Sequence, residues 1–212
     1  MKKVVIITIL VFFSHRIMAD TNIDTYEPPL LVTLQDNSKV KLSSCADYIK
    51  IRKSGEYIKE LPDLPNYFYN DLKMDLVNCY VNAVVLQNGL IESNMPTPSL
   101  SEILHHLPAT EKLIASDDEE SNIRKKFKGK SVWDTSPDLV ESDDSIVSKN
   151  NDEGYRLIHY ISYMTKEGNE MDLMTIASFV LHGTYGYSTS YFITSKKGSI
   201  WDVVPITINS PL

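Results

Sequence analysis

The sequence predicts an α+β fold: about three helices, one of them central, packed on a C-terminal antiparallel β-meander, with an N-terminal β-hairpin. Three observations predict it. Residues 70–89 carry apolar side chains around most of a helical circumference. Leu72, Leu76, Cys79, Tyr80, Ala83 and Leu86 fall on one face, and Met74, Val77, Val81, Val84 and Val85 on the other. Such a helix has to be enclosed by other elements. From Tyr155 onward the chain is rich in aromatic and β-branched residues broken by turn formers. Near the start, two short β-type runs, residues 30–34 and 39–42, flank Asp36-Asn37.

The elements follow in order. After the hairpin, Ser43 or Ser44 caps a first helix that Gly55 stops, with Cys45 in its first turn. Two prolines in residues 61–66 exclude regular structure before the central helix. Asn70 or Asp71 is its expected N-cap, and Gly89 its left-handed stop. Its narrow polar strip is Asp71, Asp75, Asn78 and Asn82. Ser99 with Glu102 forms a capping-box pattern ahead of Ile103, Leu104 and Leu107, and Pro108 ends or kinks that helix. Residues 116–153 hold eleven acids against six basic residues and show no hydrophobic period, so they read as a long charged loop with Phe127, Val132 and Trp133 as anchors. Tyr155 to Met164 reads as a strand. Residues 171–182 allow a helix by composition, but their place between strands favours a strand. Tyr191 to Thr194 and Ile200 to Ile208 form a last hairpin, and Pro205, with no amide proton, puts the final strand at an edge.

The first nineteen residues look like an export signal rather than fold. Lys2 and Lys3 precede an unbroken apolar run from Val4 to Phe13, about half the length a bilayer-spanning helix needs. The expected division is therefore a signal peptide, 1–19, and a single α+β domain, 20–212, without a membrane anchor. Losing residues 1–19 removes Lys2, Lys3 and Arg16 and no acid, which moves the net charge from −7 to −10. That balance argues against nucleic acid and anionic membrane and for a basic protein partner. In an oxidising compartment, periplasmic or extracellular, the only two cysteines read as one disulfide, Cys45–Cys79.

A search for chemistry yields little. There is no GxSxG, no CxxC and no glycine-rich phosphate loop. His105 and His106 are adjacent, and neighbours on a helix point about 100° apart, so no metal site and no cofactor is expected. His159 and His182 lie on candidate strands. The segment from His182 to Ser190 mixes tyrosine, glycine and small hydroxyls, the composition of recognition loops.

The function expected is that of an exported, non-enzymatic binding or inhibitory protein, of the immunity type, that neutralises a basic toxin or envelope-targeting enzyme. Tyr185, Tyr187 and Trp133 would anchor the partner, and Asp117, Asp118, Glu119 and Glu120 would steer it. One alternative is an exported hydrolase with His159 or His182 as general base. Another is an envelope assembly factor that offers its edge strand to a partner.

Overall fold

The computed structural model describes residues 26, 28–113, 125–150 and 152–212. The proposed signal peptide and the acids Asp117, Asp118, Glu119 and Glu120 lie outside the described residues. Within them the chain is α+β, with four helices, a three-stranded N-terminal sheet and a seven-stranded antiparallel sheet.

Strands β1 (Leu30–Leu34) and β2 (Lys39–Leu42) form the expected hairpin, turned by Asn37 at φ 67°. Helix α1 (Cys45–Lys53) is capped reciprocally. Ser44 Oγ accepts from the Asp47 amide at 3.3 Å, and the Asp47 carboxylate accepts from the Ser43 amide at 2.9 Å. Past α1, Gly55 takes φ +83° and the chain returns as β3 (Ile58–Glu60) on the free side of β1. That third strand is too short to show a period, and the sequence does not announce it.

Helix α2 (Asn66–Asn88) is the central element. It starts four residues before the predicted Asn70 cap. Pro65 holds the N-cap position, and no side chain bonds the first amides. The Pro65 carbonyl accepts from the Tyr69 amide at 3.0 Å, so the backbone opens the helix without a polar cap. The predicted end is in place, with Gly89 left-handed at φ 56°, ψ 40°. Leu72, Leu76, Val77, Cys79, Tyr80 and Val81 are buried against Val32, Leu34, Leu42, Tyr48 and Ile58 on one side and Tyr163, Leu173 and Ile206 on the other. Enclosure does not reach the last turns, since Leu86 is 80% exposed. The C-terminal tail stitches this core shut. Tyr48 and Tyr80 hydroxyls donate to the carbonyls of Ile208 and Pro211 at 2.7 and 2.6 Å, and Arg52 reaches the carbonyls of Asn209 and Ser210.

The large sheet runs, edge to edge, β10 (Asp202–Ile206), β9 (Gly186–Ser195), β8 (Glu170–Val180), β7 (Glu153–Met164), β6 (Ser145–Ser148) and β5 (Val140–Ser142), and β4 (Ile91–Glu92) also pairs with β7. Its spine is the meander β7, β8, β9 and β10. Residues 171–180 are thus strand, and Pro205 does sit on the edge strand. Both faces of the meander are covered. Ile161, Tyr163, Leu173 and Phe192 meet α2. Tyr155, Met174, Ile176, Tyr191 and Ile193 meet helix α3 (Leu100–His106) and the one-turn helix α4 (Val132–Thr135).

The segment expected as a charged loop, 116–153, is not loop throughout. It contains α4 and the hairpin β5 (Val140–Ser142) and β6 (Ser145–Ser148), which extends the sheet beside β7. Three- and four-residue strands bury only a few apolar groups, here Ile146 and Val147 of β6 alone, so charged neighbours masked them. The last hairpin is also longer than predicted on one side. β9 begins at Gly186, so half of the supposed 182–190 loop is strand.

Candidate partner-binding surface

The tyrosines of the predicted recognition segment lie at the β8–β9 end of the sheet. Tyr187 is a β9 residue opposite Ser178, and Tyr185 precedes the strand. Their rings meet edge-on at 6.0 Å and 73°, and Tyr185 is 50% exposed. Gly186 between them sits at a close approach, where a Cβ would lie 3.1 Å from the Phe179 Cβ and the Ser178 carbonyl, tighter than ordinary packing. Tyr187 is therefore held by the sheet, and Tyr185, in the connection, by the Val180 amide, which donates to its carbonyl at 3.0 Å.

A buried polar network backs this end. The Tyr187 hydroxyl reaches the Lys112 carbonyl at 3.4 Å. The Lys112 ammonium contacts Glu153 at 3.0 Å and donates to Ser136 at 2.7 Å. Ser136 donates in turn to Glu153, and the Tyr155 hydroxyl donates to the other Glu153 oxygen at 2.8 Å. Burial, reinforced by the Glu153 charge, pushes the Tyr155 phenol well above its usual range, so it remains a donor. Serine beside lysine is a nucleophile pairing in some hydrolases. Here the Glu153 carboxylate claims both groups, and Ser136 is fully buried. The network joins Lys112, just before the charged 116–153 segment, to Ser136 within it and Glu153 at its end.

Trp133 is placed by α4, whose Ser131 and Asp134 form a complete capping box. Its ring stacks on His105 at 4.3 Å. The Ser131 amide and hydroxyl, assisted by His105, hold the Asp134 carboxyl below its usual range. His106 stacks on Trp201 at 5.0 Å, and its Nδ1 lies 2.7 Å from the Ser199 carbonyl. Between the last turn of α3, Asp134 and Ser199–Ile200 opens a surface cleft of about 660 Å³ that both histidines and Glu102 line. The adjacent histidines, unpromising for a shared metal, thus tie α3 to two different elements. Among the described residues no three His, Cys, Asp or Glu side chains converge as metal ligands.

The two candidate bases have different settings. His159 Nε2 lies 3.3 Å from the Thr175 hydroxyl, which lies 2.8 Å from Ser190 Oγ, and burial lowers the imidazole pKa. His182 is 81% exposed, and its Nδ1 is 2.6 Å from the Asp152 carboxylate.

Cys45 and Cys79 form the predicted disulfide, Cα atoms 5.4 Å apart, pinning the start of α1 to the middle of α2. Among the described residues no helix is long and apolar enough to cross a membrane. Sequence reasoning missed two charged groups, Lys112–Glu153 and Asp172–Lys196. Asp172 carried a signal: alternation along β8 puts it on the same face as Met174 and Ile176.

Comparison with protein families, curated proteins and solved structures gave no match.

Proposed function

We propose that this chain works outside the cytoplasm, in the periplasm or beyond, as a binding or inhibitory protein of the immunity type, with a basic toxin or envelope-directed enzyme as its partner. The observation that carries this reading is the Tyr185–Tyr187 pair, the first ring exposed and the second half-buried, at the start of β9 and backed by the buried Lys112–Glu153 network. Two ordered aromatic rings offer a large contact area with little rotamer entropy to lose, which is what an interface anchor needs. A charge of −10 after loss of residues 1–19 would draw a basic partner in, most strongly at low salt. The disulfide suits an oxidising compartment.

The test is capture from an envelope extract by the tagged chain at about 50 and 500 mM salt, concentrations on either side of strong charge screening. A basic protein should be retained at low salt, released at high salt and lost by the Y185A/Y187A variant. Retention of nothing at low salt would sink the proposal.

A second reading, an exported hydrolase, draws support from His182, whose exposed imidazole is oriented by Asp152 as a general base would be. Its test is hydrolysis of cell-wall fragments by the full chain, with H182A and D152N each expected to remove the activity. The envelope-assembly alternative rests on β10, whose outer side carries no strand among the described residues.

A further inference from the structure

On the α3-facing side of the sheet a lysine ammonium sits in a cage of the kind that binds cations. Lys196, in the exposed β9–β10 turn, extends its Nζ to 2.5 Å from an Asp172 oxygen. The same Nζ lies 5.4 Å from the centroid of Tyr160 and 5.5 Å from that of Trp201. Both distances fall within the roughly 6 Å over which a ring quadrupole attracts a cation. Asp172 is 3% exposed, directly opposite Ser162 in the β7–β8 register, and Ser162 donates to its second oxygen. Trp201 is fixed from elsewhere by its stack on His106. The Tyr160 hydroxyl is buried in the cage wall beside both charges; burial raises its pKa most, and Lys196 and Asp172 act on it in opposite directions. Two aromatic walls, one of them carrying a hydroxyl, and a buried carboxylate form the cage.

The walls belong to the sheet and its core; the occupant does not. Lys196 and its neighbours Lys197, Gly198 and Ser199 are exposed, so the side chain can leave without disturbing a packed element. Burial works against the lysine's charge, but the facing Asp172 and Tyr160 oxygens outweigh it and raise its pKa, so the occupant is an ammonium.

We propose that Asp172, Tyr160 and Trp201 form a receptor site for an ammonium group presented by a partner, a lysine side chain or a methylated amine, which Lys196 keeps closed in the free chain. The site goes beyond the binding reading above and stands without it, since its geometry is independent of Tyr185 and Tyr187. Lys196 acts as a competitor in cis, and a tethered competitor raises the free-ligand concentration needed by roughly 10²-fold or more.

The test uses the full chain carrying W133F, which leaves Trp201 as the only tryptophan. n-Butylammonium and tetramethylammonium chloride are titrated, with sodium chloride as the ionic-strength control, and Trp201 fluorescence and thermal stability are read together. K196A should bind n-butylammonium saturably, with a midpoint at least about tenfold below that of the lysine-bearing chain, a conservative reading of the tethering advantage. K196A/D172N should show no saturable binding. If K196A does not fold, K196S, a polar side chain too short to fill the cage, is titrated in its place. Equal responses with and without Lys196, or saturable binding that survives loss of Asp172, would overturn the proposal. Neither result depends on whether an envelope extract yields a partner.

Discussion

Substitution of Lys112 by methionine tests the network beneath the tyrosine pair. The Lys112 and Glu153 side chains are 10% and 5% exposed and meet at 3.0 Å, so solvent screens them little. Removing the lysine leaves a buried carboxylate with two hydroxyl donors, Ser136 and Tyr155. Breaking a buried pair costs about 3–5 kcal/mol. The two surviving donors place this case near the lower end, about 3 kcal/mol. For a domain of this size that is a fall in Tm of roughly 6–12 °C. The assay is urea unfolding of wild type, K112M, E153L and K112M/E153L, compared as a double-mutant cycle. The double variant should cost clearly less than the two single losses added together, because an apolar pair of similar volume can replace a buried ion pair. A K112M chain within about 0.5 kcal/mol of wild type, the scale of an ordinary surface substitution, would refute the reasoning. So would strict additivity.

Two further outcomes are expected. The Cys45–Cys79 bridge closes a separation of 34 residues, which the loop-entropy relation converts to about 3.8 kcal/mol; C45S/C79S should unfold roughly 8–15 °C below wild type in calorimetry, and a change under 2 °C would remove the bridge as a major stabiliser. Burial lowers the pKa of His159 below its usual 6.5, so the unfolded chain binds the proton first. Stability should be unaffected above that value and decline as pH falls below it. H159N should flatten the decline in urea midpoints measured from pH 7.5 to 5.5, and an identical slope in both proteins would contradict the assignment.

Legibility in the sequence followed the range of the signals. Helix ends marked by local chemistry were readable: Ser44 and Gly55 bound α1, and Gly89 ends α2. The start of α2 was not, because Pro65 closes it through backbone geometry while Asn70 and Asp71 offered a more familiar cap in the wrong place. The disulfide was readable because two cysteines permit one pairing. The hairpin β5–β6 was hidden by its own length, and β9 was cut short because glycine and serine read as loop while Gly186 serves a close strand approach. The polar clusters were out of reach for another reason. Lys112 and Glu153 are 41 positions apart, and nothing local marks either as the other's partner.

The large sheet poses a question of specification, and its buried polar residues supply an answer. A sheet with one wet face fixes its register by alternation, since a one-residue slip turns every apolar side chain outward. Here α2 covers one face and α3 with α4 the other, so a slip along much of β8 would exchange one buried apolar row for another. Composition along that strand was correspondingly ambiguous between helix and strand. Polar residues break the degeneracy because they sit at directly opposed positions. Ser162 faces Asp172, His159 faces Thr175, and Thr175 faces Ser190, and each of these pairs is within hydrogen-bonding distance. A slip by one residue would carry Asp172 and Thr175 to the opposite face and leave buried donors and acceptors unmatched, at about 1–3 kcal/mol for each group. These pairs therefore do for a sheet buried on both sides what hydrophobic alternation does for a half-exposed one. By the same register, Asp172 is held at the floor of the cage that Lys196 occupies.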